Sequence, residues 1–360
     1  MKNTSLRELR RRVQDMDRKL TSLLNERARI AVEIGMVKTA EGGTVYDPHQ
    51  ERRVYEQIGT INEGPLPESS LRHIFREIIS ASRSLQQPLT IAYLGPEASF
   101  SHLAAQSHFG GSVSFSAQPS INDVFDRVER GQAHYGVVPV ENSLEGRVNL
   151  TLDRLLTTPL KIRAEIILPI RHCLMAAGIL RDRILRVYSH PQALAQCQIW
   201  LRKHLPDCSL HAVESTAFAA QTARKDPEGA AIGSREAAAM YELKVIDEGI
   251  EDHSSNATRF LVIGDEGAGY IGGEKTSIVF GTRHEPGALH RALESFAKRC
   301  INLVRIESYP LKGSLWEYLF FVDFTGSEDD ERIGQCLTEL RERTTFYRHL
   351  GSYPQGAARQ

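Results

Sequence analysis

The sequence predicts a multidomain chain: an all-α region over residues 1–88, an α/β domain over 89–265 and a small α+β module over 274–360. Three observations carry this. Apolar residues in the first quarter recur at three-and-four spacing, the mark of buried helix faces. From Ile91 onward, short β-rich runs alternate with amphipathic stretches, which is the pattern of an α/β domain. Beyond the Gly-rich passage Gly264 to Gly273, the order strand, helix, two strands around Gly313, helix, strand fits a ferredoxin-like module.

The first helix is written by Leu6, Leu9, Val13, Met16, Leu20, Leu23, Ile30, Ile34 and Val37, a stripe for burial with Arg27 filling its one gap. A buried guanidinium left without a partner costs about 3–5 kcal/mol. Arg27 therefore either pairs with Glu51 in a structural bridge or faces an anion. Arg10 and Lys38 flank the seam 28 residues apart (38 − 10), about 42 Å along a straight helix. They serve a common site only if Arg10 comes from an antiparallel partner helix, which makes an intertwined dimer. Asp47 as cap, Pro48 at the first helical position and Gln50 closing a capping box start the second helix, with Glu51 on the face of Val54 and Ile58. Leu71, Ile74, Phe75, Ile78 and Ile79 form the apolar face of the third, and Ser82 and Gln86 continue it.

In the α/β domain the β-rich runs are Ile91 to Leu94, Ser112 to Phe115, Tyr135 to Val140, Arg163 to Ala176, Arg186 to Tyr188, Leu210 to Val213, Ala230 to Ile232 and Arg259 to Ile263. Amphipathic stretches such as Gln192 to Leu205 and Ala217 to Arg224 lie between them. Strand exits carry hydroxyls and amides, at Ser99 and Ser101, at Glu141-Asn142-Ser143, at Ser189-His190-Pro191-Gln192 and at Ser215-Thr216. Each reads singly as a helix cap, but their clustering at strand ends is where an α/β ligand crevice forms. Gly267-Ala268-Gly269-Tyr270-Ile271-Gly272 matches the dinucleotide fingerprint in spacing, yet Ser277 to Phe280 reads as a strand where the fingerprint needs a helix. It is read as a linker.

Composition excludes several classes. With 44 basic against 45 acidic residues, neither nucleic acid nor an anionic membrane is the implied partner. Five scattered cysteines without a Cys-x-x-Cys pair exclude a disulfide framework and a zinc site. With no signal peptide and no membrane-length apolar run, a soluble, cytoplasmic protein is expected.

Arg10, Asp17, Glu26-Arg27, Lys38, Asp47-Pro48, Glu51, Ser82 and Gln86 resemble the all-helical class of chorismate mutase. The resemblance implies that Arg10 (from a partner chain), Arg27 and Ser82 hold the carboxylates of chorismate. Lys38 and Gln86 address its ether oxygen, and Asp47 with Glu51 takes the ring hydroxyl. The Claisen rearrangement to prephenate then needs only a held conformer and donors where negative charge grows. The family usually places arginine immediately before the glutamate; here it is Gln50, a change that bears on affinity more than on chemistry.

Gly95-Pro96 with Ser99-Phe100-Ser101, Val138-Pro139-Val140-Glu141-Asn142-Ser143 with Gly146, Ser189-His190-Pro191-Gln192 and Thr258-Arg259-Phe260 resemble prephenate dehydratase. This implies a bilobed fold like that of periplasmic binding proteins, with prephenate in the cleft against Ser99, Glu141, Asn142, Ser143, Ser189, His190, Gln192, Arg259 and Phe260. Thr258 is the catalytic residue, bonding the departing hydroxyl. Arg259 is either a carboxylate clamp or a scaffold ion pair. Ala98-Ser99 stands where the family commonly has Gly-Thr. Gly287-Ala288-Leu289-His290, Asn302 and Glu307-Ser308-Tyr309-Pro310 resemble the phenylalanine-binding motifs of the regulatory ACT domain, with Tyr309 replacing an arginine. The whole implies a bifunctional enzyme of phenylalanine biosynthesis, at least a homodimer, without metal or organic cofactor, taking chorismate and prephenate as substrates and L-phenylalanine as inhibitor. The alternatives are a non-enzymatic bilobed receptor with an ACT sensor, or a dehydratase whose helical domain only dimerises.

Overall fold

The computed structural model describes residues 5–41, 46–265, 273–311 and 318–356 and divides into two units. The first, reaching Leu89 and including Phe109–Ser114, is built on three helices. α1 (Leu6–Ala40) runs unbroken from its Ser5 cap for 35 residues, about 52 Å at the α-helical rise. α2 (Pro48–Ile61) starts on Asp47, whose carboxylate accepts the Gln50 N–H at 3.0 Å. α3 (Glu68–Gln86) buries Ile79, Ser80, Ser82 and Arg83. The stripe of α1, expected to be buried, is open in the single chain: Leu6, Val13, Met16, Leu20, Leu23 and Val37 are each more than half exposed. Among the described residues of α1 only Gly35 is buried. There α3 comes so close that a Cβ would stand 2.8 Å from Gln86 Cγ.

The second unit contains two α/β lobes and the terminal module. The first lobe is formed by β1 (Thr90–Leu94), α4 (Phe100–Phe109), β2 (Ser114–Gln118), α5 (Ile121–Glu129), β3 (Tyr135–Asn142), β4 (Gly146–Arg147), α6 (Asn149–Thr157) and β5 (Lys161–Pro169). The second lobe follows with β6 (Cys173–Ala176), β7 (Arg186–Ser189), α7 (Pro191–Gln196), α8 (Gln198–His204), β8 (Ser209–Ala212), α9 (Thr216–Lys225), β9 (Gly229–Gly233), α10 (Arg235–Met240) and β10 (Lys244–Glu248). β11 (Ala257–Gly264) returns the chain to the first sheet, ordered β2-β1-β3-β11-β5; the second sheet is β10-β6-β9-β7-β8.

Two expectations are corrected, and one strand goes beyond them. The run Arg163 to Ala176 is two strands in different sheets, because Pro169 ends β5 and proline brings no N–H to a ladder. The stretch Gln192 to Leu205 is two helices meeting at Cys197. β10, in which Lys244, Asp247 and Glu248 outnumber two apolar residues, shows too weak an alternation to be read beforehand.

The terminal module is β12 (Lys275–Gly281), α11 (Ala288–Ala297), β13 (Leu303–Pro310), β14 (Tyr318–Thr325), α12 (Glu331–Glu342) and β15 (Phe346–Tyr353), in the predicted β-α-β-β-α-β order. Its antiparallel sheet runs β13-β14-β12-β15. One face packs Ile278, Phe280, Val322 and Phe324 against Phe296 and Leu337 of its helices. The other face, with Val279, Tyr309, Phe321, Leu350 and Tyr353, shares a core with Val140, Leu152, Leu155 and Ile162 of the first lobe. Gly351, at φ +147°, allows that approach, since a Cβ there would lie 2.3 Å from the Ile162 carbonyl oxygen. The fingerprint-like segment 267–272 and Gly313 lie outside the described residues. No described helix is long and apolar enough to cross a membrane.

Candidate active sites

Helix periodicity brings the polar residues of the first unit together. Arg27 Nη1 donates to Ser82 Oγ at 3.1 Å, joining α1 to α3. Lys38 Nζ lies 3.2 Å from Asp47 Oδ2, and Gln86 packs on Gly35. Arg27 does not pair with Glu51; Arg83 takes that place, at 2.7 Å. Burial raises the Glu51 pKa, and Arg83 and Lys38 offset this in part while Asp47 adds to it. Arg10 is exposed on the same unbroken α1, far from this cluster.

In the second unit, Thr258 on β11 stands opposite Asn142 on β3. Asn142 Nδ2 donates to Thr258 Oγ1 and to Asn256 Oδ1, both at 2.9 Å. Its Oδ1 accepts the N–H groups of Leu144 and Glu145 at 3.0 and 3.2 Å, which fixes the amide's orientation. The network continues into the second lobe: Asn256 Nδ2 donates to Gln196 Oε1 at 3.0 Å, and that oxygen lies 2.9 Å from His172 Nε2. Burial lowers the His172 pKa, and because the Gln196 Oε1 is an acceptor, the ring donates to it through Nε2. The Thr258 oxygen thus accepts from Asn142, and among the described residues its own proton has no acceptor.

Strand alternation separates residues that adjoin in sequence. Glu141 and Arg259 face the opposite side of the sheet from Asn142 and Thr258 and meet the terminal module. Glu141 lies 3.0 Å from Arg305 Nε. Arg259 Nε donates to Glu165 Oε2 at 2.8 Å and Nη2 to the Tyr353 hydroxyl at 3.0 Å, while Nη1 is 2.7 Å from Asp323 Oδ2. Burial opposes the charge on Asp323, but Arg259 and Lys275 hold its carboxyl below the usual range. Of the two readings of Arg259, these contacts are those of the scaffold ion pair. Ser189 and Phe260, expected at the ligand, are 0% and 2% exposed, and Ser189 Oγ donates to the Ile232 carbonyl at 2.7 Å. The Ser99 hydroxyl caps α4 at His102 N and donates to the Leu94 carbonyl. Ser143 Oγ accepts from Ala257 N, and His190 caps α7 at Gln192 N. Ser99 and His190 are helix caps, whereas Ser143 and Ser189 satisfy backbone groups of strands.

In the terminal module, Gly287 (φ +78°) starts α11 beside a cavity of about 300 Å³ lined by Arg283, His284, Gly287, Ala288, Leu289, His290, Tyr318 and Phe320, among others. Asn302, Glu307 and Ser308 do not line it within one chain. The Asn302 carbonyl accepts from Thr325 N, Glu307 pairs with Arg147 and Arg305, and the Ser308 carbonyl accepts from Arg147 at 2.8 Å. Tyr309 is buried and donates to Asp153 of α6 at 2.5 Å; burial and that bond push its pKa up to about 12.

Residues 9–87 match the type II chorismate mutase family and residues 91–268 the prephenate dehydratase family. The chain is 45% identical to the bifunctional chorismate mutase/prephenate dehydratase of Aquifex aeolicus, covering 97% of this chain and 98% of that protein. The chain belongs to this bifunctional family. The Pseudomonas aeruginosa enzyme of the same name is 41% identical over 97% of both chains. A solved prephenate dehydratase from Arthrobacter aurescens in complex with L-Phe is 34% identical, with a TM-score of 0.68 over 75% of this chain and 90% of that one. As a chorismate mutase/prephenate dehydratase, the chain catalyses both steps, and no receptor function is needed to explain its lobes.

Several residues of these two clusters escape sequence reading. Arg83 lies four residues beyond Ile79, on the apolar face of α3, and that spacing is the signal for it. His172, Gln196 and Asn256 offer no such pattern, since their contacts span 24 to 114 residues. Ala98 replaces the glycine common in dehydratases in a left-handed conformation, φ +61°, which costs an L-residue about 1–2 kcal/mol. Its methyl is buried with Cys173, Met175 and Ala219 of the second lobe, which offsets that cost.

Proposed function

We propose that the α1–α3 pocket is the chorismate site and the Asn142–Thr258 pair the dehydration centre, in a dimer whose ACT module senses L-phenylalanine. The observation that carries the dehydratase assignment is the direction of the Asn142–Thr258 hydrogen bond. Prephenate loses CO2 and its ring hydroxyl together, and aromatisation drives the step. A neutral hydroxyl whose acceptor side is already used offers its proton to the departing oxygen at any ordinary pH. In the mutase, Arg27 with Ser82 addresses a carboxylate, Lys38 and Gln86 the ether oxygen, and Asp47 and Glu51 the ring hydroxyl.

The open stripe of α1 supports the dimer. A face this long and apolar is covered in a stable protein, and an antiparallel partner α1 would carry its Arg10 to this pocket. The phenylalanine reading is supported by the complex of the Arthrobacter aurescens relative and by the cavity at the start of α11. β13 is an edge strand with exposed Val304 and Ile306, and a second module added there would bring Glu307 and Ser308 of one chain toward the cavity of another.

Following chorismate loss and phenylpyruvate formation with and without phenylalanine tests the reading. Gln86→Glu sharpens it: glutamate donates to the ether oxygen only when protonated, so mutase activity should be present in acid and vanish as pH rises through its pKa. At neutral pH the loss should be about 2.7–4 kcal/mol of barrier. A flat pH profile with activity retained removes Gln86 from the mechanism. For feedback, Arg305 links Glu141 of β3 to Glu307 of β13. Arg305→Gln is expected to leave phenylalanine binding measurable by calorimetry while weakening inhibition about fivefold or more. Undiminished inhibition would place the signal elsewhere.

A further inference from the structure

α3 turns Ser82, Arg83 and Gln86 toward the mutase pocket, and the assignment above gives chorismate only two of them. We propose that Arg83 is a further positioning residue of the mutase: it holds Glu51 as an oriented carboxylate and supplies the fixed positive charge absent at Gln50. The inference rests on that pocket being the chorismate site.

The geometry is that of a held group. Arg83 is 3% exposed; Nη1 lies 2.7 Å from Glu51 Oε1, and Nη2 donates to the Phe109 carbonyl at 2.6 Å. Its guanidinium carbon lies 5.2 Å from the centre of the Tyr46 ring and 5.5 Å from that of Phe109, so the fork is stacked as well as bonded. Nε is buried and makes no hydrogen bond among the described residues. An anion entering the pocket would satisfy that donor.

Charge counting points the same way. Arg27, Lys38 and Arg83 face Asp47 and Glu51, leaving one net positive charge in the chain's own pocket. Arg10 from a partner α1 makes two, which matches the two carboxylates of chorismate. Without Arg83 only one charge would face them. Arg83 of α3 and Lys38 of α1 also favour the ionised form of Glu51, against burial and the Asp47 carboxylate at the start of α2. Removing Arg83 therefore raises the Glu51 pKa further, and more acid-side activity is lost.

The test uses the full chain. Arg83→Gln should raise the mutase KM about tenfold or more, the size of one charged hydrogen bond, with a smaller fall in kcat. The acid limb of mutase kcat/KM should move to higher pH, and dehydratase turnover of supplied prephenate should stay within about twofold because that site lies in another domain. Adding Gln50→Arg should recover part of the lost affinity. If Arg83→Gln does not fold, Arg83→Lys keeps the charge without the planar fork; it should keep the acid limb and still raise KM. An unchanged KM and acid limb overturn the proposal, as does an equal loss of both activities with a lower Tm and no rescue by Gln50→Arg. Lys38→Ala, measured alongside, separates the two claims. If it spares the mutase, the pocket assignment itself fails; if it abolishes turnover while Arg83→Gln changes nothing, only the role of Arg83 fails.

Discussion

Replacing Thr258 with valine is expected to lower phenylpyruvate formation about 10²- to 10³-fold, the effect of removing one preorganised donor, while chorismate turnover is unchanged. Valine keeps the branched shape on β11, so the strand and its bond pattern survive. What disappears is the hydroxyl that accepts from Asn142 and that, in the proposed mechanism, offers its proton to the departing oxygen. Asn142 Nδ2 retains its bond to Asn256, so substrate binding changes little and the loss falls on kcat. Thr258→Ser restores the hydroxyl without the methyl and should recover much of the rate. A serine variant as damaged as the valine one would show that the hydroxyl is not the operative group, and steady-state assays on supplied prephenate measure both.

The second large effect is expected from mixing two inactive chains. Arg10→Ala and Lys38→Ala should each abolish prephenate formation and leave the dehydratase intact. Because α1 is continuous from Leu6 to Ala40, the two positions cannot meet within one chain. In a random mixture about half of the dimers are mixed, and each mixed dimer has one intact pocket, so about a quarter of the sites should return. Subunit exchange verified by a mass tag, followed by a chorismate assay, checks this. Exchange without recovery sinks the shared pocket.

The clustering of polar residues between α1, α2 and α3 is legible in the sequence because helical spacing fixes which residues share a face. Arg27, Lys38, Glu51, Ser82 and Gln86 follow from helical period and Asp47 from capping, whereas Arg83, on the same face of α3, is what pairs with Glu51 in place of Arg27. In the dehydratase the same logic misleads when motifs are treated as blocks. Asn142 and Thr258 meet as expected. Their immediate neighbours Glu141 and Arg259 are also cross-strand partners but lie on the other face of the sheet, because each successive strand residue points to the opposite side. Hydroxyls at strand exits were ambiguous from the start, and Ser99, Ser143 and Ser189 turn out to satisfy backbone groups. The contacts that close the network, from Asn142 through Asn256 and Gln196 to His172, depend on how two lobes return to each other, which local patterns do not encode.

The face that the terminal sheet shares with the first lobe has a consequence for how the molecule comes apart. Val279, Tyr309, Phe321 and Tyr353 belong to the same apolar cluster as Val140, Leu152 and Ile162, whereas the second lobe keeps a cluster of its own around Leu174, Val187 and Ile232. Cooperative unfolding follows shared cores and not chain order. Within this unit the boundary of weaker cohesion therefore runs between the two lobes, and the terminal module melts with the lobe that carries Thr258.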